Sequence, residues 1–134
     1  MRRSPLRRLW IDKTGASAAE FALVLPAIVV LGVGAFHLCF MIYAAVSLHF
    51  AVEDAARCAA VKTDICSNDQ AIQAYAESRY AGPRISPVFI PALDADCGES
   101  VSASGTYRLD VGLARLDVPL SAQACFPAMS VAGT

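Results

Sequence analysis

Five cysteines, two histidines and one carboxylate at the mouth of an apolar run hold most of the reactive chemistry open to this chain. Cys58, Cys66, Cys97 and Cys125 follow a long uncharged stretch, and Cys39 lies inside it. If the segment after the stretch is exported, four cysteines imply two disulfides, with three possible pairings. Local pairing, Cys58–Cys66 and Cys97–Cys125, is the expectation. The first would tie the end of a long helix to the next element, and the second would close the C-terminal segment. Zinc is the competing chemistry, disfavoured because no C-x-x-C pair exists and His37 and His49 lie in or beside the uncharged stretch. Cys39 reads as a free apolar filler. For catalysis there is no Gly-rich phosphate loop, no G-x-S-x-G and no histidine beyond His49 to serve as a base. Asp94, Asp96 and Glu99 surround Cys97 and could hold a cation, but a plain polar loop has the same composition. The expectation is a protein that is not an enzyme, with no metal, no cofactor and no small-molecule substrate.

The carboxylate is Glu20, and the element it introduces is the strongest feature of the chain. From Phe21 to Val52 there is no Asp, Glu, Lys or Arg. A bilayer core needs roughly 20 apolar residues as helix. This run reaches about 48 Å, so it can span and still project. It is too long for the apolar region of a cleaved secretory signal, usually ~7–15 residues. A composition of 56% hydrophobic and 17% charged residues agrees with a chain partly in lipid. The net charge of -1 conceals a basic head: Arg2, Arg3, Arg7, Arg8 and Lys13 stand against Asp12, and the remainder is acidic. That asymmetry excludes the body as a nucleic-acid binder and predicts a cytoplasmic N-terminus beside a lipid bilayer. Pro26 and the Gly32/Gly34 pair could bend or loosen the helix.

The helix is expected to continue into water. Glu53, Asp54 and Arg57 are interleaved with Ala51, Ala55, Ala56, Ala59 and Ala60. Ala51, Ala55 and Ala59 form a smooth stripe that would let another helix approach; simple helix propensity gives the same pattern. The exterior of the 134-residue chain has room for one small domain. Ser67 as N-cap with Gln70 resembles a capping box, Ile72, Tyr75, Ala76 and Tyr80 follow at helical spacing, and Gly82-Pro83 would stop the helix. Tyr75 and Tyr80 read as a packed face. Residues 85–90 are apolar and β-rich but contain Pro87, so an edge strand is expected. Tyr107, Leu109, Val111 and Leu113 alternate with Arg108, Asp110 and Gly112. The apolar phase then shifts to Leu116, Val118 and Leu120, which predicts a bulge or turn near Ala114–Arg115. The fold class is α+β: a long N-terminal membrane-spanning helix over residues 16–60, after a basic leader of residues 1–15. A small disulfide-stapled domain over residues 61–134 follows, with a second helix and a small antiparallel sheet, expected to fold without the spanning helix.

A basic leader, then Gly15, four residues, Glu20-Phe21 and a long apolar helix resembles the processing site of prepilins, and most closely the Flp/Tad branch. "EFALVLP", with Pro26, and the Ala-rich "AVEDAARCAA" are similar to the TadE-like pseudopilins of the tight-adherence pilus system. "AIQAYAESRYAG", "SPVF" and "PLSAQACFP" match the disulfide-bearing members, and TadF-like and TadG-like chains share the opening. The resemblance implies cleavage by an aspartyl prepilin peptidase between Gly15 and Ala16, on the cytoplasmic side. Glu20 would become the fifth residue of the mature chain, with Phe21 beside it in the recognition motif. The Glu20 carboxylate would pair with the new amine of Ala16, on its own or a neighbouring subunit, because an unpaired carboxylate in apolar surroundings is costly. A position at the lipid headgroups would need no such partner. The implied protein is a pilin-like assembly subunit in the bacterial inner membrane, its C-terminal domain periplasmic, retained there or incorporated into the pilus. Its implied partners are other pilins, pseudopilins and inner-membrane assembly proteins. The alternative is a signal-anchored periplasmic binding module with no pilus role.

Overall fold

The computed structural model describes residues 14–110 and 114–127. The basic side chains of the leader and Val111, Gly112 and Leu113 of the alternating segment lie outside the described residues. Five elements follow in order: α1 (Thr14–Val61), α2 (Asp69–Arg79), β1 (Val88–Asp94), β2 (Gly98–Asp110) and β3 (Arg115–Phe126). The fold is α+β.

Packing divides the chain at Leu38/Cys39 into two compact units. In the first, α1 exposes apolar side chains all round, Leu23 at 81% and Leu31 at 73%. An all-round apolar helix needs an apolar environment, and α1 is long and apolar enough from Ser17 to cross a membrane. From Ala44 the same helix becomes one-sided. Ala44, Leu48, Ala51, Val52, Ala55, Ala56 and Ala59 are buried at three- and four-residue spacing, while Glu53 and Arg57 are exposed. The uncharged run thus has two parts, and one face of the second, Ala44–Val52, is domain core. The Ala51/Ala55/Ala59 stripe is covered by the chain's own domain, so no second helix is needed to explain it.

α2 begins one residue later than the capping box suggests. The N-cap is Asn68, in extended conformation, whose side chain accepts a hydrogen bond from Ala71 N at 2.9 Å. Either Ser or Asn can cap; Asn68 holds the site, with Asp69 favourably placed in the first turn. Ile72 and Ala76 are buried, and Tyr75 and Tyr80 pack half-buried against the core. The helix ends at Arg79, before Gly82. Tyr80 is the C-cap, and its amide reaches back to the carbonyls of Ala76 and Glu77. Gly82 instead makes room for the Tyr80 ring: a Cβ there would stand 2.6 Å from Tyr80 Cζ.

The sheet is an antiparallel meander, β1-β2-β3. Proline cannot donate to a ladder, so it belongs at edges. Pro91 lies in β1 and Pro119 in β3, the two edge strands, and β2 between them has none. β1 is the expected edge strand, displaced to begin after Pro87. The β1–β2 loop closes with Gly98 at φ 111, a conformation that favours glycine, and with Asp96 N donating to Asp94 Oδ1 at 2.9 Å. The phase shift has a simple cause. β2 ends at Asp110, and the hairpin pairs Tyr107 with Val118 and Leu109 with Leu116, so odd residues of one strand share a face with even residues of the next. The alternating segment expected from Tyr107 belongs to β2, described as far as Asp110, and the segment from Leu116 belongs to the separate strand β3.

The core of the second unit gathers eight residues of α1, Ala44 through Ala59, with Ile72 and Ala76 of α2, Phe89, Val101, Ala103, Tyr107 and Ala122 of the sheet, and Ile85. The structure joins Cys58 to Cys66 and Cys97 to Cys125. Cys39 is free and exposed.

Candidate functional site

The residues of the expected processing and assembly segment sit on the first turns of α1. Gly15 and Ala16 lie within the first turn, where backbone N–H groups have no intrahelical partner and the helix opens most easily. Gly15 is exposed, with nothing within 4 Å of where a Cβ would stand. Glu20 and Phe21 are exposed, Phe21 at 62%. Positions 16 and 20 are one turn apart along the helix. Among the described residues no ion pair holds Glu20.

A second group of residues ties α2 and the loop after it to α1; sequence reasoning named Tyr75 and Tyr80 as a packed face but not their polar partners. Arg79 Nε pairs with Asp54 Oδ2 at 2.9 Å, and Arg79 Nη2 donates to Tyr75 Oη at 2.8 Å with the guanidinium 5.0 Å from the ring centre. Tyr75 Oη in turn donates to Asp54 Oδ2 at 3.4 Å. The hydrogen bond from Arg79 to Tyr75 raises the Arg79 pKa, helped by the charges of Tyr75 and Asp54. Nearer residue 39, Tyr43 Oη donates to the Ala81 carbonyl at 2.7 Å, and Ala81 N donates to Ser47 Oγ at 2.9 Å. Both backbone groups of one loop residue are thus held by hydroxyls one turn apart on α1. A readable signal existed: Tyr43 and Ser47 are the hydroxyl residues of the Phe21–Val52 run. Tyr80 Oη donates to the Pro83 carbonyl at 2.6 Å. Burial pushes the Tyr80 pKa up, with a smaller push from Tyr43.

Among the open grooves beside the sheet, two are the larger. One, of about 550 Å³, runs between Phe50, Glu53, Asp54 and Arg57 of α1 and the end of β3. The other, of about 610 Å³, lies between the α2–β1 loop and the β2–β3 ladder. Neither brings a histidine, a thiol and a carboxylate together, and no cluster with metal-ligand composition occurs among the described residues.

The arrangement defines a class: a protein with an apolar helix long enough to anchor it in a membrane, whose last turns form part of the core of a small disulfide-bearing α+β domain. Residues 15–57 match the family described as TadE-like protein, which bears out the resemblance over the helix that carries both the anchor and half of the domain core. That family implies a structural protein of pseudopilin type, associated with the Tad pilus. No curated protein and no solved structure matches the chain.

Proposed function

We propose that this chain is a pilin-like assembly subunit of a tight-adherence pilus, anchored in the bacterial inner membrane with its domain in the periplasm and processed by prepilin peptidase between Gly15 and Ala16. The observation that carries the reading is that the TadE-like match begins at Gly15 and runs through the anchor into the domain. A glycine before the scissile bond lets the backbone lie extended in a protease cleft without a side-chain clash. Cleavage removes the first two residues of α1 and leaves Ala16 with a charged amine, one helical turn from Glu20. Amine and carboxylate then neutralise each other within one subunit or across two. In the second case the pair sets the depth of one helix against its neighbour, beside other pilins, pseudopilins and the inner-membrane assembly proteins.

The test is the intact mass of the protein isolated with and without an active peptidase. The expected product begins at Ala16, and Gly15→Leu should retain the leader. A wild-type chain still beginning at Met1 beside an active peptidase refutes the processing reading and leaves the signal-anchored binding module in its place.

A further inference from the structure

The larger groove is built like a receptor for an anion. Arg84 and Arg108 line it together with the hydroxyl residues Ser86, Ser104, Thr106 and Ser121. Arg84 is exposed and has no ion pair among the described residues. Arg108 faces Asp117 at 3.8 Å, with both side chains largely in solvent, a pairing that is weak and readily exchanged for a better acceptor. Guanidinium groups with neutral hydroxyls beside them suit a phosphate carrying an esterified polyol.

The loop that carries Arg84 is fixed at both ends. Ala81 is held by Tyr43 and Ser47, and Ile85 is buried against Gly105, so closely that a Cβ on Gly105 would stand 2.8 Å from Ile85 Cδ1. The anchor points matter for what reaches the groove. Roughly 20 apolar residues cross a bilayer core, and counted from Phe21 they end near Phe40. Ala44 is already buried in the domain, so lipid contact along that face ends before it. Tyr43 and Ser47, which hold the Arg84 loop, follow three and seven residues after the end of that count, and tyrosine is itself a residue of the bilayer interface.

We propose that the cleft framed by Arg84, Arg108 and the hydroxyls of Ser86, Ser104, Thr106 and Ser121 receives the headgroup of an anionic phospholipid at the outer surface of the bilayer that α1 crosses. The site gives an otherwise acidic domain a local attachment to an anionic surface. The proposal rests on the membrane-anchor reading, which flotation of the full chain with vesicles tests separately.

The experiment compares the full chain in nanodiscs of phosphatidylcholine with and without phosphatidylglycerol, one protein per disc, by amide exchange. Phosphatidylglycerol should slow exchange over residues 84–86. One arginine near an anionic surface corresponds to about a fivefold effect, so Arg84→Gln should remove at least that factor while flotation is unchanged. Arg57→Gln, an exposed arginine in the other groove, should keep the protection. Equal exchange in the two lipids, or equal loss in both variants, overturns the proposal. So does the same protection in phosphatidylcholine discs from soluble glycerol phosphate at the same phosphate concentration, which would assign the cleft to a soluble anion.

Discussion

Leu48→Ala tests whether the anchor helix is also the keystone of the exterior domain. Leu48 is fully buried, between Ala44, Ala51 and Val52, which are themselves 0% exposed. Removing three carbon atoms there loses transfer free energy and leaves a cavity. Its helical neighbours are fixed to the same backbone and cannot move in, so the cost should fall in the upper part of the usual range, about 3–5 kcal/mol. At about 1.36 kcal/mol per decade, opening of the domain should become roughly 150- to 5,000-fold more frequent. The assay is amide exchange of β2 in the full chain in micelles, because the Val101 and Ala103 amides report opening of the sheet rather than of the helix. The control is Leu23→Ala, the same substitution on the same helix, where the side chain is 81% exposed and outside the domain. It should change β2 exchange less than about twofold, as surface substitutions do. If the two variants protect β2 equally, the domain does not rest on α1, and residues 61–134 would be a free-standing fold after all. If Leu48→Ala acts as expected, a fragment starting at residue 61 should fail to fold, because it lacks eight core residues and the Cys58 partner of Cys66.

Three further outcomes are expected. Thiol labelling of the unfolded, unreduced chain should tag Cys39 alone; from loop entropy, opening Cys58–Cys66 should cost about 2.5 kcal/mol and opening Cys97–Cys125 about 3.5 kcal/mol, read from denaturant midpoints. Tyr80→Phe should cost about 0.5–1.5 kcal/mol through the lost hydrogen bond to Pro83. The folded state keeps the Tyr80 proton to higher pH than the unfolded chain does, so this stability is present below about pH 10 and lost as pH rises through the folded pKa; the variant's alkaline melting curve should fall less steeply than wild type. Glu20→Gln should leave insertion and cleavage intact but abolish crosslinking to assembly partners if the carboxylate neutralises a desolvated amine, a loss typically worth ~3–5 kcal/mol; crosslinking at wild-type strength would place Glu20 at the headgroups instead.

What could be read from the chain alone depended on whether a signal was local. Periodicity marked α2 and the strand residues from Tyr107 onward, because burial on one face imposes it, while α1 was marked by its uncharged run and residues 98–106 of β2 were not read as strand. Proline marked one edge, through Pro87, although the prolines that lie within the edge strands are Pro91 and Pro119, which the sequence reading did not use. The α2 start was misplaced by one residue because Ser67 and Asn68 are adjacent and equally able to cap; only the backbone conformation at Asn68 decides between them. The change from β2 to β3 was visible as a phase change but not as two antiparallel strands, because a bulge shifts phase in the same way.

The end of the uncharged run was the deepest ambiguity, and its cause is physical. Lipid and a protein core both select apolar side chains, so no composition separates Phe21–Phe40 from Ala44–Val52. What separates them is size and one-sidedness. The lipid-facing part carries large side chains in every direction, as lipid accepts any contour. The part within the domain puts alanines on its buried face, at Ala44, Ala51, Ala55, Ala56 and Ala59, because small residues let a sheet and a second helix come close. Its two hydroxyls, Tyr43 and Ser47, belong to the same transition. In the hydrocarbon they would need partners, and at its boundary they find them in the Ala81 backbone. The domain thus builds part of its core on residues of the same helix that carries the apolar span.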